Sequence, residues 1–236
     1  MISTNTRGHS PGRSQPGRLA GGRVATSTGF SLAMRTVLGL AGCSFVAALL
    51  WSWPLAAQSR IGQGPTYSSS GQLTRPMDYR EWIYVTSGLG MTYGPAQPEG
   101  GHVMFDNVFV TPEAYREFLR SGTWPDKTMF VLEVRDADTN VSINNGGRTQ
   151  GALMRMEASV KDRQRFPDGG WAYFSFDGPQ GLAAAAAPLP PTAVCYACHR
   201  ANTAVDNTFV QFYPTLFEVA KRLGTVKPSY DPAHKP

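Results

Sequence analysis

Cysteine is scarce in this chain: three in 236 residues, at positions 43, 195 and 198. That is too few for the disulfide framework of a small secreted domain, and there is no second pair at the spacing a structural zinc site needs. The histidines do not supply one either, because His9, His102 and His234 are scattered far from the cysteine pair and from one another. Acidic residues are missing from positions 1–57, which carry five arginines: Arg7, Arg13, Arg18, Arg23 and Arg35. The formal charge of +5 sits in that stretch, since the 17 Lys+Arg left after it (22 minus 5) balance the 17 Asp+Glu. The chain beyond residue 57 is near neutral, which removes the electrostatic argument for nucleic acid or an anionic membrane as a partner. Long heptad-like apolar patterns are also absent, and a four-helix bundle is excluded with them.

The acid-free segment has the order of a secretory signal: Met34-Arg35, an apolar run from Val37 to Leu50, then the small residues Ala56 and Ala57 before Gln58. Reading 34–57 as a signal peptide implies export to the periplasm. The span Val37 to Ala57 also reads as an uncleaved membrane anchor, with Pro54 and the small residues after it favouring cleavage. Residues 1–33, rich in Gly, Ser, Arg and Thr, hold too little apolar surface to fold, and Met34 is an alternative start. Leu40-Ala41-Gly42-Cys43 has the form of a lipoprotein box, but the apolar run continues past Cys43 and the match reads as chance. Once Cys43 is removed, the exported chain keeps only Cys195 and Cys198.

Those two stand in Cys195-Tyr196-Ala197-Cys198-His199. Two thiols three positions apart, followed at once by an imidazole, are what covalent haem attachment requires: each sulfur bonds one vinyl group and His199 is left beneath the iron. The motif implies one covalently attached haem c with His199 as its metal ligand. A redox-active C-x-x-C would want a strand before it and a helix running on, whereas Pro188, Pro190 and Pro191 precede this one. The bland alternative is two structural cysteines beside a solvated histidine. No methionine follows Cys198 to serve as a second axial ligand, as one does in small electron-transfer cytochromes. Met104, Met154 and Met156 read as core filler, and His102 as a solvated strand-end histidine.

Residues 58–73 read as a polar linker, 74–225 as one folded domain and 226–236 as a tail. Pro76 to Trp82 suggests a short helix starting at Thr74 or Arg75, with Ile83 to Thr86 extended after it. Alternation from His102 to Val110 predicts a strand with Asp106 and Val108 on one face and Asn107 and Phe109 on the other. Thr111-Pro112-Glu113 is the best helix start in the chain, and Gly122 its stop. Thr128 to Arg135 is the clearest strand, with Phe130, Leu132 and Val134 on one side and Met129, Val131 and Glu133 on the other. Asn144-Asn145-Gly146-Gly147 turns the chain into a strand from Gln150 to Val160, and Trp171 to Phe176 adds another. Ala183 to Ala187 is helical by propensity, Thr192 is placed to cap the helix carrying the cysteines, and Pro214 to Leu223 closes the domain before Gly224. The fold class is α+β: a mainly antiparallel sheet, short flanking helices and a C-terminal haem-attachment helix.

Several of these stretches resemble the cytochrome P-460 family. They are Tyr79-Arg80-Glu81-Trp82, Phe109-Val110-Thr111-Pro112-Glu113-Ala114-Tyr115, Glu157 to Asp162, Gly170-Trp171-Ala172 and Phe209 to Pro214, in that order around the haem motif. The resemblance covers about residues 74–223. It implies a periplasmic, usually homodimeric sheet protein with one c-type haem, His199 as proximal ligand and an open distal site. Members that oxidise hydroxylamine join a lysine to the porphyrin, and by register that position is Leu132, with Lys127 five residues earlier. An arginine of their first strand appears as Asp106. The distal acid position is kept as Glu157, a candidate catalytic proton carrier whose alternative is a carboxylate paired with Arg155 or Lys161. Lacking the lysine, the chain resembles the cytochrome c-prime-beta branch more closely. That branch has a five-coordinate haem under an apolar distal face, here Phe130 and Leu132, which favours NO or CO over dioxygen. The alternatives are a hydroxylamine or NO oxidoreductase, and an electron-transfer module with a redox partner protein.

Overall fold

The computed structural model describes residues 64–92 and 101–233. The leading stretch 1–33, the signal segment 34–57 with Cys43, and the first part of the 58–73 linker lie outside the described residues.

Alternating residues give a five-stranded antiparallel meander in chain order: β2 (Ile83–Leu89), β3 (Met104–Val110), β4 (Met129–Asp138), β5 (Thr149–Lys161) and β6 (Trp171–Ser175). Outside it, β1 (Leu73–Thr74) pairs with β7 (Ala185–Ala186). Three α-helices complete the domain: α1 (Pro112–Ser121), α2 (Val194–Asn202) and α3 (Pro214–Leu223). Both α1 and α3 begin with proline and end at a left-handed glycine, Gly122 at φ 72° and Gly224 at φ 67°. Each glycine amide closes the last turn onto a helix carbonyl, a conformation a β-carbon would strain.

Period-two alternation splits the sheet into two cores. Val110, Phe130, Trp171 and Tyr173 face one cluster, closed by Phe118 and Trp124 from α1 and its following loop and by Leu216 and Val219 from α3. Phe109, Met129, Val131, Met156 and Phe174 face the other, which Leu73, Tyr79 and Trp82 cover. Strand β4 is thus apolar on both sides, and a one-residue slip would exchange its faces.

The structure differs from the sequence expectations at several chain ends. The linker expected over 58–73 runs too far along the chain: Leu73 is fully buried and bridges Tyr67, so residues from at least Tyr67 belong to the fold. The helix expected from Pro76 is only a 3-10 turn, Tyr79–Glu81, because Thr74 is already committed to β1. Ala185–Ala186 is strand despite alanine's helix propensity, since pairing with β1 satisfies its backbone. Neither Thr111 nor Thr192 caps a helix by its side chain: Thr111 is buried at the end of β3, and α2 starts from an extended Ala193. The segment read as a tail packs Val226 and Tyr230 against the first cluster.

On the sheet face away from α1 and α3, Glu133 is fully buried and gathers Tyr79 Oη, Arg80 Nη1, Asn107 Nδ2 at 3.1 Å and Arg135. This gives the Tyr79-Arg80 motif a structural role: it locks the 3-10 turn to β3 and β4. Burial by itself would push the Glu133 carboxyl up, but the hydrogen bonds from Arg135, Tyr79, Arg80 and Asn107 outweigh it and hold it down to about 2, against an ordinary 4.5. A carboxyl depressed on folding adds stability that is complete above its unfolded value and is lost as pH falls from 4.5 toward 2. The shift corresponds to roughly 3 kcal/mol. Urea unfolding should find Glu133→Gln less stable than the parent at pH 7 by about 2–3 kcal/mol, with the gap narrowing below pH 4.5. Equal stability of the two at pH 7 would contradict the reading.

Candidate functional site

Helix α2 places Cys195, Cys198 and His199 at i, i+3 and i+4, which brings them onto one face. All three line a cavity of about 590 Å³ between this helix and the sheet, within the range of small-molecule and cofactor sites. Both cysteines are free thiols. None of the residues of α2 is buried. The helix is thus at most partly buried, with Cys195 and Tyr196 against the first cluster and its thiol face over the largely apolar hollow between it and the sheet.

The helix is nevertheless fixed at both ends. Leu189, just before it, donates its amide to Tyr173 O at 2.8 Å and accepts the Tyr196 hydroxyl at 3.1 Å, which ties the entry to β6. At the other end the orphan carbonyls are taken up by Thr203 on His199 O, by Gln211 Nε2 on Asn202 O at 2.7 Å and by Lys227 Nζ on Arg200 O at 3.0 Å. Lys227 also brings a positive charge to the helix C-terminus, where the macrodipole favours it. The so-called tail therefore supports the site.

His199 is held by three contacts. Its Nδ1 lies 2.8 Å from the Asn207 carbonyl, which can only accept, so Nδ1 carries the proton and Nε2 is left as a lone-pair donor. Tyr173 and Phe209 pack against its ring at centroid distances of 4.4 Å and 4.7 Å. Withdrawal from water pushes the imidazole below its usual value, the Asn207 bond opposing this, and the neutral form is the one that binds a metal.

The sheet wall of the cavity follows from register. Thr86, Val108, Leu132, Glu157 and Ser175 are partners across the five strands and share one face; the first four line the cavity. Phe130, one pleat along the strand, lines it too and stacks edge-on to Trp124 at 4.8 Å. Phe130 is thus both a core residue and a wall of the site. Leu132, Phe130, Glu157 and the three motif residues are brought together, as their sequence positions led us to expect.

Glu157 makes no ion pair or hydrogen bond among the described residues, so the pairing with Lys161 or Arg155 offered for it is not formed. Lys161 instead reaches Asp206, and Arg155 is exposed, acting on Glu157 only through its field. Burial pushes the Glu157 carboxyl up, Arg155 lowers it, and Asp177 and Asp106 raise it further. Asp106 lines the same cavity and is raised by burial as well. Lys127 is not in the cavity: it sits at φ 66° with Nζ 2.5 Å from Asp162. His102 pairs with Asp136 at 2.7 Å outside it, and Met156 is buried in the second cluster, while Met154 is exposed.

Sequence reasoning missed Met91, Tyr173 and Asn207. Met91 lies at the cavity beside Gly88, where its sulfur occupies space that a β-carbon would fill. Tyr173 stands in an expected strand, and its alternation with Trp171 was the available signal. Asn207 acts through its backbone, which no motif records.

A family model for cytochrome P460 matches residues 76–210, more than half of the chain and including all five strands of the sheet and the cysteine motif. No curated protein matches the chain.

A carboxyl raised on folding opposes folding once it ionises: the penalty is absent below the unfolded value, 4.5 for Glu157, and full above the folded one. Glu157→Gln should therefore melt at a higher temperature than the parent at pH 7, with the two curves converging as pH is lowered toward 4.5. A lower melting temperature for the glutamine variant at pH 7 would show that the carboxylate has a stabilising partner.

Proposed function

The chain belongs to the cytochrome P460 family of haem proteins, and from that premise we propose that it is a periplasmic mono-haem c-type cytochrome that binds NO or a similar small gas at an open distal site. The observation that carries this is the cavity itself: two free thiols and a neutral imidazole on one helix face, opposite no lysine and no second histidine among its lining residues. The donor set fits the group. Cys195 and Cys198 would hold the vinyl carbons, and His199 Nε2 the iron. When bound, the haem supplies an iron open to a sixth, exogenous ligand.

The chain's residues do the rest. Asn207 O holds the His199 proton at Nδ1. Val108, Phe130 and Leu132 form the apolar part of the sheet wall, beside the polar Thr86, Asp106 and Glu157; a ligand seated over the apolar part finds no hydrogen bond there, which disfavours dioxygen relative to NO or CO. On this reading the chain falls with the cytochrome c-prime-beta branch. Export through the segment 34–57 would place the thiols where haem attachment and persistence are compatible with the compartment. A homodimer through the exposed edge of β2, whose Tyr84 and Leu89 are half exposed, completes the proposal.

A second reading has an observation of its own. Glu157 presents an unpaired, burial-raised carboxyl to the same cavity, suited to hold or accept a proton beside a reacting ligand. That is the arrangement an oxidoreductase acting on hydroxylamine or NO would use. Turnover of hydroxylamine with an artificial electron acceptor, lost in Glu157→Gln, would select it over a binding role.

Spectra and mass test the leading reading. The ferrous protein should be five-coordinate and high-spin and should bind NO and CO. A six-coordinate low-spin ferrous spectrum without added ligand would overturn the open site and favour electron transfer; Met91→Leu would then identify the ligand if it is the thioether. Haem should stay with the polypeptide through acidic organic extraction, and should be extracted from the Cys195→Ala, Cys198→Ala double variant. Digestion should find haem on the Cys195–Cys198 peptide alone; haem also tied to a peptide containing Lys127 would make hydroxylamine oxidation the better reading.

A further inference from the structure

The loop after α2 carries an ion pair that the haem motif does not account for. Asp206 and Asn207 are consecutive non-glycine residues in left-handed conformation, at φ 43° and 59°, which short polar residues tolerate but which needs holding. Three contacts hold it. Lys161 Nζ, 3% exposed at the end of β5, pairs with Asp206 Oδ2 and also donates to Trp124 O at 2.7 Å. Trp171 Nε1 donates to Asp206 Oδ1 at 3.2 Å. Trp124 Nε1 donates to Thr208 Oγ1 at 2.7 Å, and that hydroxyl donates to Val205 O at 2.6 Å, closing the loop. The carbonyl between these anchors is the one that His199 Nδ1 meets at 2.8 Å.

We infer that the ion pair between buried Lys161 and partly exposed Asp206 is a positioning device for the proximal ligand: it clamps the loop so that the Asn207 carbonyl stays on the His199 ring. Lys161 lies at the far end of a strand whose other members form the sheet wall of the cavity, so the pair ties that wall to the proximal histidine through side chains. Burying the Lys161 charge costs desolvation that the pair only offsets, so its net stabilisation is small and its main effect is the geometry it imposes. The inference rests on His199 being the iron ligand. The chemical consequence is direct. A strong bond from Nδ1–H to a carbonyl gives the ring imidazolate character, strengthens its hold on iron and favours the ferric state. Loosening the loop should weaken the iron–histidine bond and raise the reduction potential.

The experiment uses the full haem-loaded protein. Lys161→Met combined with Asp206→Asn removes one charge of each sign, so the net charge near the haem is unchanged and a potential shift reports position instead of field. The ferrous iron–histidine stretch should fall to lower wavenumber in this variant. The midpoint potential should rise by about 59 mV, which corresponds to a tenfold change in the ferrous-to-ferric ratio at fixed potential. As a control, Glu117→Gln combined with Arg120→Met removes an exposed ion pair of the same charge balance on α1 and should leave both readouts as in the parent. An unchanged stretch and potential in the Lys161→Met, Asp206→Asn double variant would overturn the inference, as would a surface-pair control shifted as far as that variant. If the double variant does not fold, Trp171→Phe removes one anchor of Asp206 without touching the charges and should move both readouts in the same direction; no movement there overturns the inference. Failure of the haem reading itself is distinct: it would appear as no iron–histidine stretch in the unmodified protein.

Discussion

Strand β4 is the constraint on which the rest depends. It is central in the meander and apolar on both faces, with Phe130 turned toward α1 and α3 and Met129 and Val131 turned toward Leu73, Tyr79 and Trp82. Because side chains alternate with a period of two, its register decides at once which residues wall the cavity and which seal the opposite core. Leu132 falls on the cavity side with Val108 and Glu157 as its cross-strand partners. Glu133 falls on the other side, where four donors make a buried carboxylate tolerable. One strand therefore carries the apolar wall of the site and the polar lock of the fold on adjacent residues.

The proximal half is built by the opposite logic. Helix α2 has little apolar surface buried in the protein, and its position comes from hydrogen bonds at its ends and aromatic contacts on one side. Thr203, Gln211 and Lys227 satisfy its C-terminal carbonyls, and Tyr173 supports both Tyr196 and His199. A rigid, polar-anchored helix over an apolar cavity presents its donors without filling the space they face. Burial of haem against that surface would supply the packing the helix lacks, so cofactor binding and completion of the fold are coupled in this region.

The charged groups separate by function. Glu133 with Arg80 and Arg135, and Lys161 with Asp206, are satisfied and hold backbone in place. Glu157 and Asp106 are the carboxylates turned into the cavity, and burial raises both. Such contrast between compensated and uncompensated carboxylates makes the cavity pair the candidates for proton transfer, since an acid without a partner lowers stability where burial raises it.

Much of this was legible in the residues. The five strands, the two proline-started helices and the haem motif are short-range patterns of alternation, capping and spacing, and local chemistry is enough to specify them. Even the two faces of β4 and the shared wall of Phe130, Leu132 and Glu157 follow from a period of two once the strands are paired in order. Where the sequence misled, the decision was tertiary: Ala185–Ala186 became strand because β1 offered it partners, and Lys161 left Glu157 unpaired because Asp206 lay closer. The bond from His199 to Asn207 and the clamp of Asp206 by Lys161 and Trp171 depend on a loop whose conformation is set by contacts 35 or 45 residues away in the chain. The sequence by itself determined which groups are the candidates to hold haem and which face each strand presents, because those depend on neighbours within a few residues. Only the tertiary structure decided how the proximal histidine is oriented and which carboxylate is left without a partner, because both depend on distances between segments that alternation and spacing do not encode.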